Sequence, residues 1–539
     1  MTTTDLASPA PPDATPPAAP PPDAVGSDRW YLSSAPIVRA LVHLCVPMAA
    51  AMIVGAVYNV INAGVIGSLH DNALLAAVTL GTPILGLVMA VGGVFGVGGG
   101  SLISRLLGAA ENDPAEGTKI RRVSSFALWG AVVAGVVLGV AGLLLLQPLV
   151  TLLGADAATA AATGTYVAVM LAFVPVLTAA FCLEQLVRAE GASRQVMVGL
   201  VGSTVANLVL DLVFVLVLHW GVGGVALATG LSNLAVVAYF ATWLTRHSEH
   251  MSLAPRWFTL SPAVLKPVFG VGVGELLQAS FLIVTSLVLN NLAAAYGDGP
   301  LAAMGVAVRI AQVPEFLLMG VTLGVLPLLA YAYGKGDRGR LTAALRVSAL
   351  TVGGVGLFFA VAVFLLREQV ITTFVADPAV LTIGATILTA QLVAMVANGF
   401  AGLLTSLFQA TGRSVPAIVM SVSQGVLFVP VVLLGNLWFG LPGIVWALTI
   451  TEVVVCLVGV GLLVASRGAI ERGLADGSPE RTRRHSFGRV GVARGEDLPG
   501  DEGGVERAGK AAVDGGVQDC LGDLLARQAD VEGSTDVHP

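Results

Sequence analysis

The residues of this chain best placed to do chemistry are Asn207 and Asp211, four apart inside the apolar run 196–218. A carboxylate at the centre of a membrane helix costs about 3 kcal/mol on insertion scales, so such acids face a cavity and serve function. Spacing of four puts both oxygen-bearing side chains on one helix face. The run ends at His219-Trp220, which sets Asp211 about 12 Å inside that surface at 1.5 Å per residue. Two neighbouring runs meet the same surface. Asn62, eight residues before His70, and Thr229, nine after Trp220, fall at nearly the same depth, with Asn207 one turn deeper. Oxygens from three helices around a single acid predict a site for a proton or a small cation. The bland alternative is a packing acid held by backbone and by Asn207.

Further acids lie in apolar surroundings. Glu275, in the sequence Gly272-Val-Gly-Glu275, stands near the entrance of the seventh run, either snorkelling to the interface or touching substrate. Glu452 lies deeper, some ten residues into the last run, where an acid facing a central cleft would attract a cationic molecule. With Gln278 these are the candidates for a substrate cleft. Glu184 and Arg188 are an i,i+4 pair and read as an ion pair. The glycine-rich stretch 92–100 resembles a phosphate loop but lacks the Lys-Ser/Thr that such a loop needs, so it reads as close helix packing. No H-E-x-x-H, G-x-S-x-G or clustered Cys/His is present, which argues against an enzyme and against a cofactor. The sole metal expectation is Na⁺ at Asp211, Asn207, Asn62 and Thr229.

The elements that must position these groups are membrane spans. Of 539 residues, 55% are hydrophobic and 12% charged, where soluble domains carry about 25% charged residues. Apolar runs of about 20 residues are long enough to cross a bilayer. They fall near 37–60, 73–100, 121–147, 163–186, 195–218, 221–245, 262–291, 300–332, 342–366, 380–406, 415–438 and 442–466. Pro47, Pro83, Pro175, Pro314 and Pro327 lie within them as expected kinks. Alternate loops differ in charge. One set carries Arg105, Lys119, Arg121, Arg122, Arg188, Arg194, Arg246, Arg256, Lys266, Lys335, Arg338, Arg340 and Arg413; the other carries a single arginine, Arg367. The positive-inside rule then makes both ends cytoplasmic, in a multi-pass protein of the cell membrane. Residues 1–35 read as a disordered proline-rich tail and 467–539 as a disordered cytoplasmic tail, the latter with 10 Lys/Arg against 14 Asp/Glu. Four isolated cysteines support no disulfide framework.

The halves repeat at a spacing of about 220–227 residues, as repeated transporter folds do. Leu75-Ala-Ala-Val recurs as Leu301-Ala-Ala-Met, and Arg188-Ala-Glu-Gly-Ala-Ser as Gln409-Ala-Thr-Gly-Arg-Ser. Gly221-Val-Gly-Gly-Val-Ala recurs as Gly440-Leu-Pro-Gly-Ile-Val. Six spans per copy is an even number, so the copies are parallel: a six-helix lobe at 36–250 and another at 251–466, with the substrate path between them. The acid is not repeated, because the counterpart of Asp211 falls near Val431-Val432.

These motifs carry a resemblance. Pro47 followed by Tyr58-Asn-Val-Ile-Asn-Ala-Gly, Ser101-Leu-Ile-Ser-Arg, Arg188-Ala-Glu-Gly, Asn207-Leu-Val-Leu-Asp211 and Gly223-Gly-Val-Ala-Leu-Ala-Thr229 look like first-lobe motifs of multidrug and toxic compound extrusion (MATE) transporters. Tyr333-Gly-Lys-Gly, Phe408-Gln-Ala-Thr-Gly and Gly440-Leu-Pro-Gly look like the second lobe's, and the resemblance spans roughly 36–466. It implies an all-α, V-shaped bundle of twelve helices exporting drugs in exchange for Na⁺ or H⁺. It also implies a cation site at Asp211, Asn207 and Thr229. Asn62 stands where the family usually has Asp, and Ser423 where it has Arg. One negative charge fewer weakens a Na⁺ site and favours H⁺ coupling through Asp211, with the first helix bending around Pro47. The expected partners are a lipophilic cationic small molecule and membrane lipid, with no nucleic acid, and the chain is expected to be a monomer. A flippase for lipid-linked oligosaccharides ranks lower, since Arg309 is the sole plausible interior cation for a pyrophosphate. A non-transporting scaffold is the remaining alternative.

Overall fold

The structure, a computed structural model, describes residues 24–68, 72–156, 159–296, 298–366, 369 and 378–476. The loops at His70-Asp71 and Arg367-Glu368, the side chain of Arg309, and the tails before residue 24 and after 476 lie outside the described residues. Twelve helices among the described residues are long and apolar enough to cross a membrane. After a short helix α1 (Asp28–Ser33), the first six spans are α2 (Ile37–Ser68), α3 (Asn72–Ala110), α4 (Glu116–Leu144), α6 (Ala160–Ala189), α7 (Ser193–Asp211) with a π-helical extension, and α8 (Gly221–His247). The small helix α5 (Leu146–Leu152) precedes α6. The last six are α9 (Pro262–Ala294), α10 (Asp298–Lys335), α11 (Arg338–Leu365), α12 (Pro378–Ala410), α13 (Ser414–Phe439) and α14 (Leu441–Asp476).

The two longest helices, α3 and α10, sit at the centre. α3 packs on α4 and α6 and also on α9 and α10, while α10 packs on α11 and α12 and also on α2. The glycine-rich stretch of α3 lets two backbones touch. A Cβ on Gly98 would strike the carbonyl of Val268 on α9, and one on Gly272 the carbonyl of Val94 on α3. The pair is reciprocal, so α3 and α9 approach as closely as two helices without side chains between them can.

Helical structure extends past the predicted boundary of each tail. Residues 28–33, placed in a disordered tail, form α1. Ser27 caps it by accepting from the Trp30 amide at 3.2 Å, and Leu32 is fully buried. Arg340, at the start of α11, donates to the carbonyls of Tyr31 (2.8 Å), Leu32 (2.7 Å) and Ala35 (2.8 Å), satisfying acceptors that the end of α1 leaves free. Tyr31 stacks on His43 with ring centroids 3.7 Å apart, and His43 reaches Asp28 at 3.1 Å. Local composition could not signal this helix, because its partners lie up to 309 residues away. Arg340→Ala is expected to free α1 while leaving the spans intact. Hydrogen exchange should show faster exchange at residues 31–36 and unchanged protection in α3; unchanged exchange at α1 would contradict it.

At the other end α14 runs ten residues past the predicted boundary, to Asp476. Ile470 and Leu474, four apart, are buried, and Glu471 pairs with Arg467 at 3.2 Å and Arg338 at 3.1 Å. Arg413 donates to the Ala469 carbonyl. An amphipathic turn with its own anchors thus extends a helix whose charge content read as tail.

Beside α1, Gly191 adopts φ +86°, and a Cβ there would meet the Asp28 carbonyl at 2.9 Å, so the turn after α6 admits α1 only as glycine. Its neighbour Glu190, between spans, is buried and accepts from Ser248. Burial pushes its carboxyl up to about 7, against the opposing pull of Ser248 and Arg29. A carboxyl raised above its ordinary 4.5 is protonated in the folded state first, so its contribution is full below 4.5 and is lost as pH rises through 7. Thermal melting should therefore weaken across that window by up to about 1.4 kcal/mol per pH unit, and Glu190→Gln should flatten the slope. An identical slope in the variant would contradict this.

Candidate cation and proton site

The fifth span is not one continuous α-helix. It winds as α from Ser193 to Asp211 and as π from Leu212 to Val217, so Asp211 is the last residue before the wider turn. The Leu218 amide closes an i→i−5 bond to the Val213 carbonyl at 2.9 Å, and Phe214 stacks on Trp220 with centroids 5.0 Å apart. π-turns within helices recur at functional sites. Here the turn carries the chain from the buried acid to the reversal at His219, a positive-φ residue (55°).

Asp211 is 2% exposed and Asn207 6%. They face α2 and α8. Tyr58 of α2 donates its hydroxyl to Asn207 Oδ1 and stands 3.4 Å from Asp211 Oδ2. Asn207 Nδ2 in turn donates to Thr229 Oγ1 and Ser232 Oγ of α8, both at 3.4 Å. Asp211 Oδ1 is buried without a hydrogen-bond partner among the described residues, and so is Asn62 Oδ1. No described ion pair joins Asp211 to a basic side chain. Tyr166 of α6 lies within electrostatic reach of the acid.

Asn207, Asp211 and Thr229 therefore belong to one hydrogen-bonded cluster. Asn62 is not hydrogen-bonded to any of them; one turn beyond Tyr58 on α2, it presents its oxygen nearby on the same helix face. Tyr58 and Ser232 were missed from the sequence. Their signal was spacing: Tyr58 precedes Asn62 by four, and Ser232 follows Thr229 by three.

Chemically, a carboxylate enclosed without a counter-charge is neutralised by a proton or a cation rather than left bare. A hard cation asks for several free oxygens. Asn207 Oδ1 already accepts from Tyr58, and Thr229 Oγ1 accepts from Asn207 while donating to the Val225 carbonyl at 3.1 Å. That leaves Asp211 Oδ1 and Asn62 Oδ1 as oxygens of these residues that are buried with no hydrogen-bond partner among the described residues. Among the described residues no three His, Cys, Asp or Glu side chains gather as a metal centre would require.

The cleft candidates do not converge. Glu275 turns inward and accepts from Gln409 at 3.0 Å, within electrostatic reach of Arg188, rather than snorkelling. Arg188 itself pairs with Glu184. Gln278 is exposed one turn along from Glu275. Glu452 is 2% exposed and bonded to Gln424, out of reach of a large cation.

The chain is similar to known proteins over most of its length. A family model described as MatE matches residues 47–213 and 271–434. The multidrug export protein MepA of Staphylococcus aureus is 31% identical over 423 residues, covering 78% of this chain and 92% of that protein. MepA of Staphylococcus saprophyticus is 32% identical over 428 residues, covering 79% and 94%. A crystal structure of MATE in its bent conformation superposes with a TM-score of 0.76 at 23% identity, covering 83% of this chain and 99% of that one, which establishes a shared fold.

Proposed function

The chain belongs to the multidrug and toxic compound extrusion (MATE) family, and on that premise we propose that it is a secondary-active exporter of drugs and toxic compounds, driven by proton antiport through Asp211. The observation that carries the reading is the buried Asp211 Oδ1, with no hydrogen-bond partner among the described residues, beside a Tyr58–Asn207–Thr229 hydrogen-bond chain drawn from three helices. The cargo in this reading is a lipophilic, cationic small molecule; the relatives' name, multidrug export protein, supports a small-molecule cargo.

In this scheme both termini are cytoplasmic, lobes at 36–250 and 251–466 enclose the path, and the protein works as a monomer. A proton arriving from outside neutralises Asp211. The neutral acid becomes a hydrogen-bond donor, so the Tyr58 and Asn207 contacts rearrange and α2 shifts against α7. Pro47 offers the hinge, since its ring removes the amide that would bond to the carbonyl four residues earlier. Around it Ala49 and Cys45 rest on Gly320 and Gly324 of α10, and Cys45 Sγ reaches the Val321 carbonyl at 3.6 Å. A bend at Pro47 is thereby transmitted to the central helix of the other half. Loss of the proton to the cytoplasm resets the cycle. Glu275 and Gln278 line the cargo's route on α9.

The test is expression in a host stripped of its own drug exporters, with ethidium as the probe. Raised resistance and faster ethidium efflux than the vector control are expected. Equal efflux at verified membrane expression would count against the reading.

A further inference from the structure

The second half of the chain lacks a counterpart of Asp211, but it holds a buried acid of its own on a different helix. Glu452 of α14 is 2% exposed. Its Oε1 accepts from Gln424 Nε2 on α13, and its Oε2 is buried with no hydrogen-bond partner among the described residues. The groups facing it can be named element by element. From α10 comes Glu315, within electrostatic reach; along α14 itself comes Cys456, one turn on. From α12, Asn398 donates to Glu315 at 3.3 Å. The acid of α9, Glu275, is engaged instead by Gln409. None of these groups is basic, and no described ion pair includes Glu452.

An enclosed carboxylate beside a second acid, with no basic partner among the described residues, is too costly to keep ionised. A proton or a small cation can relieve it, and the donor set decides between them. Gln424 presents its amide NH₂ to Glu452, so among these groups the buried oxygen with no described partner is Glu452 Oε2. A hard cation needs several oxygens; a proton needs one. Glu315, by contrast, is exposed, and stands within electrostatic reach of the enclosed acid.

We propose that Glu452 is a second proton-binding site, in the last six spans, which exchanges with water beside Glu315 and is separate from Asp211. The full chain then takes up one proton more than Asp211 alone accounts for. This inference stands on the surroundings of Glu452 and does not require Asp211 to titrate.

Proton uptake by the full-length protein in detergent, on a jump from about pH 8 to about pH 5, tests it. The comparison is wild type, Asp211→Asn, Glu452→Gln and the double variant. Glu452→Gln is expected to remove one proton of uptake in either background. Infrared difference spectra on the same jump should show the carbonyl band of a protonated carboxylic acid that is absent in Glu452→Gln. The band should be shifted in Gln424→Leu, which keeps the acid and takes away its donor; should Glu452→Gln fail to fold, this shift decides alone. Equal uptake in wild type and Glu452→Gln, or a band indifferent to Gln424→Leu, overturns the proposal. Equal uptake in wild type and Asp211→Asn overturns the reading of Asp211 and leaves this one intact.

Discussion

Asp211→Asn is expected to reduce gradient-driven export to the level of protein-free vesicles while leaving the protein folded. The two halves of that expectation have one cause. An amide of the same shape can still contact Tyr58 and fill the same space, but it can neither take up a proton nor offset a cation's charge. Replacing an unpaired buried acid by its neutral isostere removes a desolvation penalty, so thermal stability should be equal or higher. Asp211 has no basic partner among the described residues to be stranded by the change. Asp211→Glu keeps the titrating group one methylene further out and should retain part of the activity. Proteoliposome export together with melting in detergent checks both halves. A stable variant with full export would remove Asp211 from the mechanism, whereas an unstable one would make it a structural acid.

The second large effect is expected at Gly272. Its α-carbon faces the Val94 carbonyl so closely that even a methyl group collides with backbone, which cannot rotate away as a side chain can. Gly272→Ala should destabilise the protein by about 1–3 kcal/mol, the range for overpacking a close contact. Gly461→Ala, on α14 with open space where the Cβ would go, is the matched control and should be neutral or slightly stabilising. Melting temperatures of the two variants give the answer. Equal values would mean that α3 and α9 yield to each other more readily than their backbone contact implies.

Much of this architecture was legible because hydropathy is a sum over neighbours in sequence. Each span from Ile37 onward announces itself within its own twenty residues, and Asp211 stands out because its surroundings are apolar. The link between Asn207 and Thr229 was foreseeable from depth, since two helices joined by a short turn share a surface from which to count. Features held by distant partners were not legible. α1 exists as placed through Arg340, and the end of α14 is anchored by Arg338 and Arg413. Tyr58 joins the site across 149 residues, and a tyrosine in a span is as often an interface anchor as a hydrogen-bond donor. The π-turn after Asp211 has no compositional signature in Leu212–Val217, where every residue is apolar. For Glu452, depth in the span can be counted from the sequence but not rotation about the helix axis, which sets its contact with Gln424.

The claim on which the account turns is that a proton, exchanged at Asp211, drives export. Purified protein in liposomes, loaded with ethidium and exposed separately to a proton gradient and to a Na⁺ gradient, measures it most directly. The account predicts export under the proton gradient, its collapse on adding a protonophore, none above background under Na⁺ alone, and none with Asp211→Asn. Export sustained by Na⁺ alone, or by Asp211→Asn under the proton gradient, would contradict it.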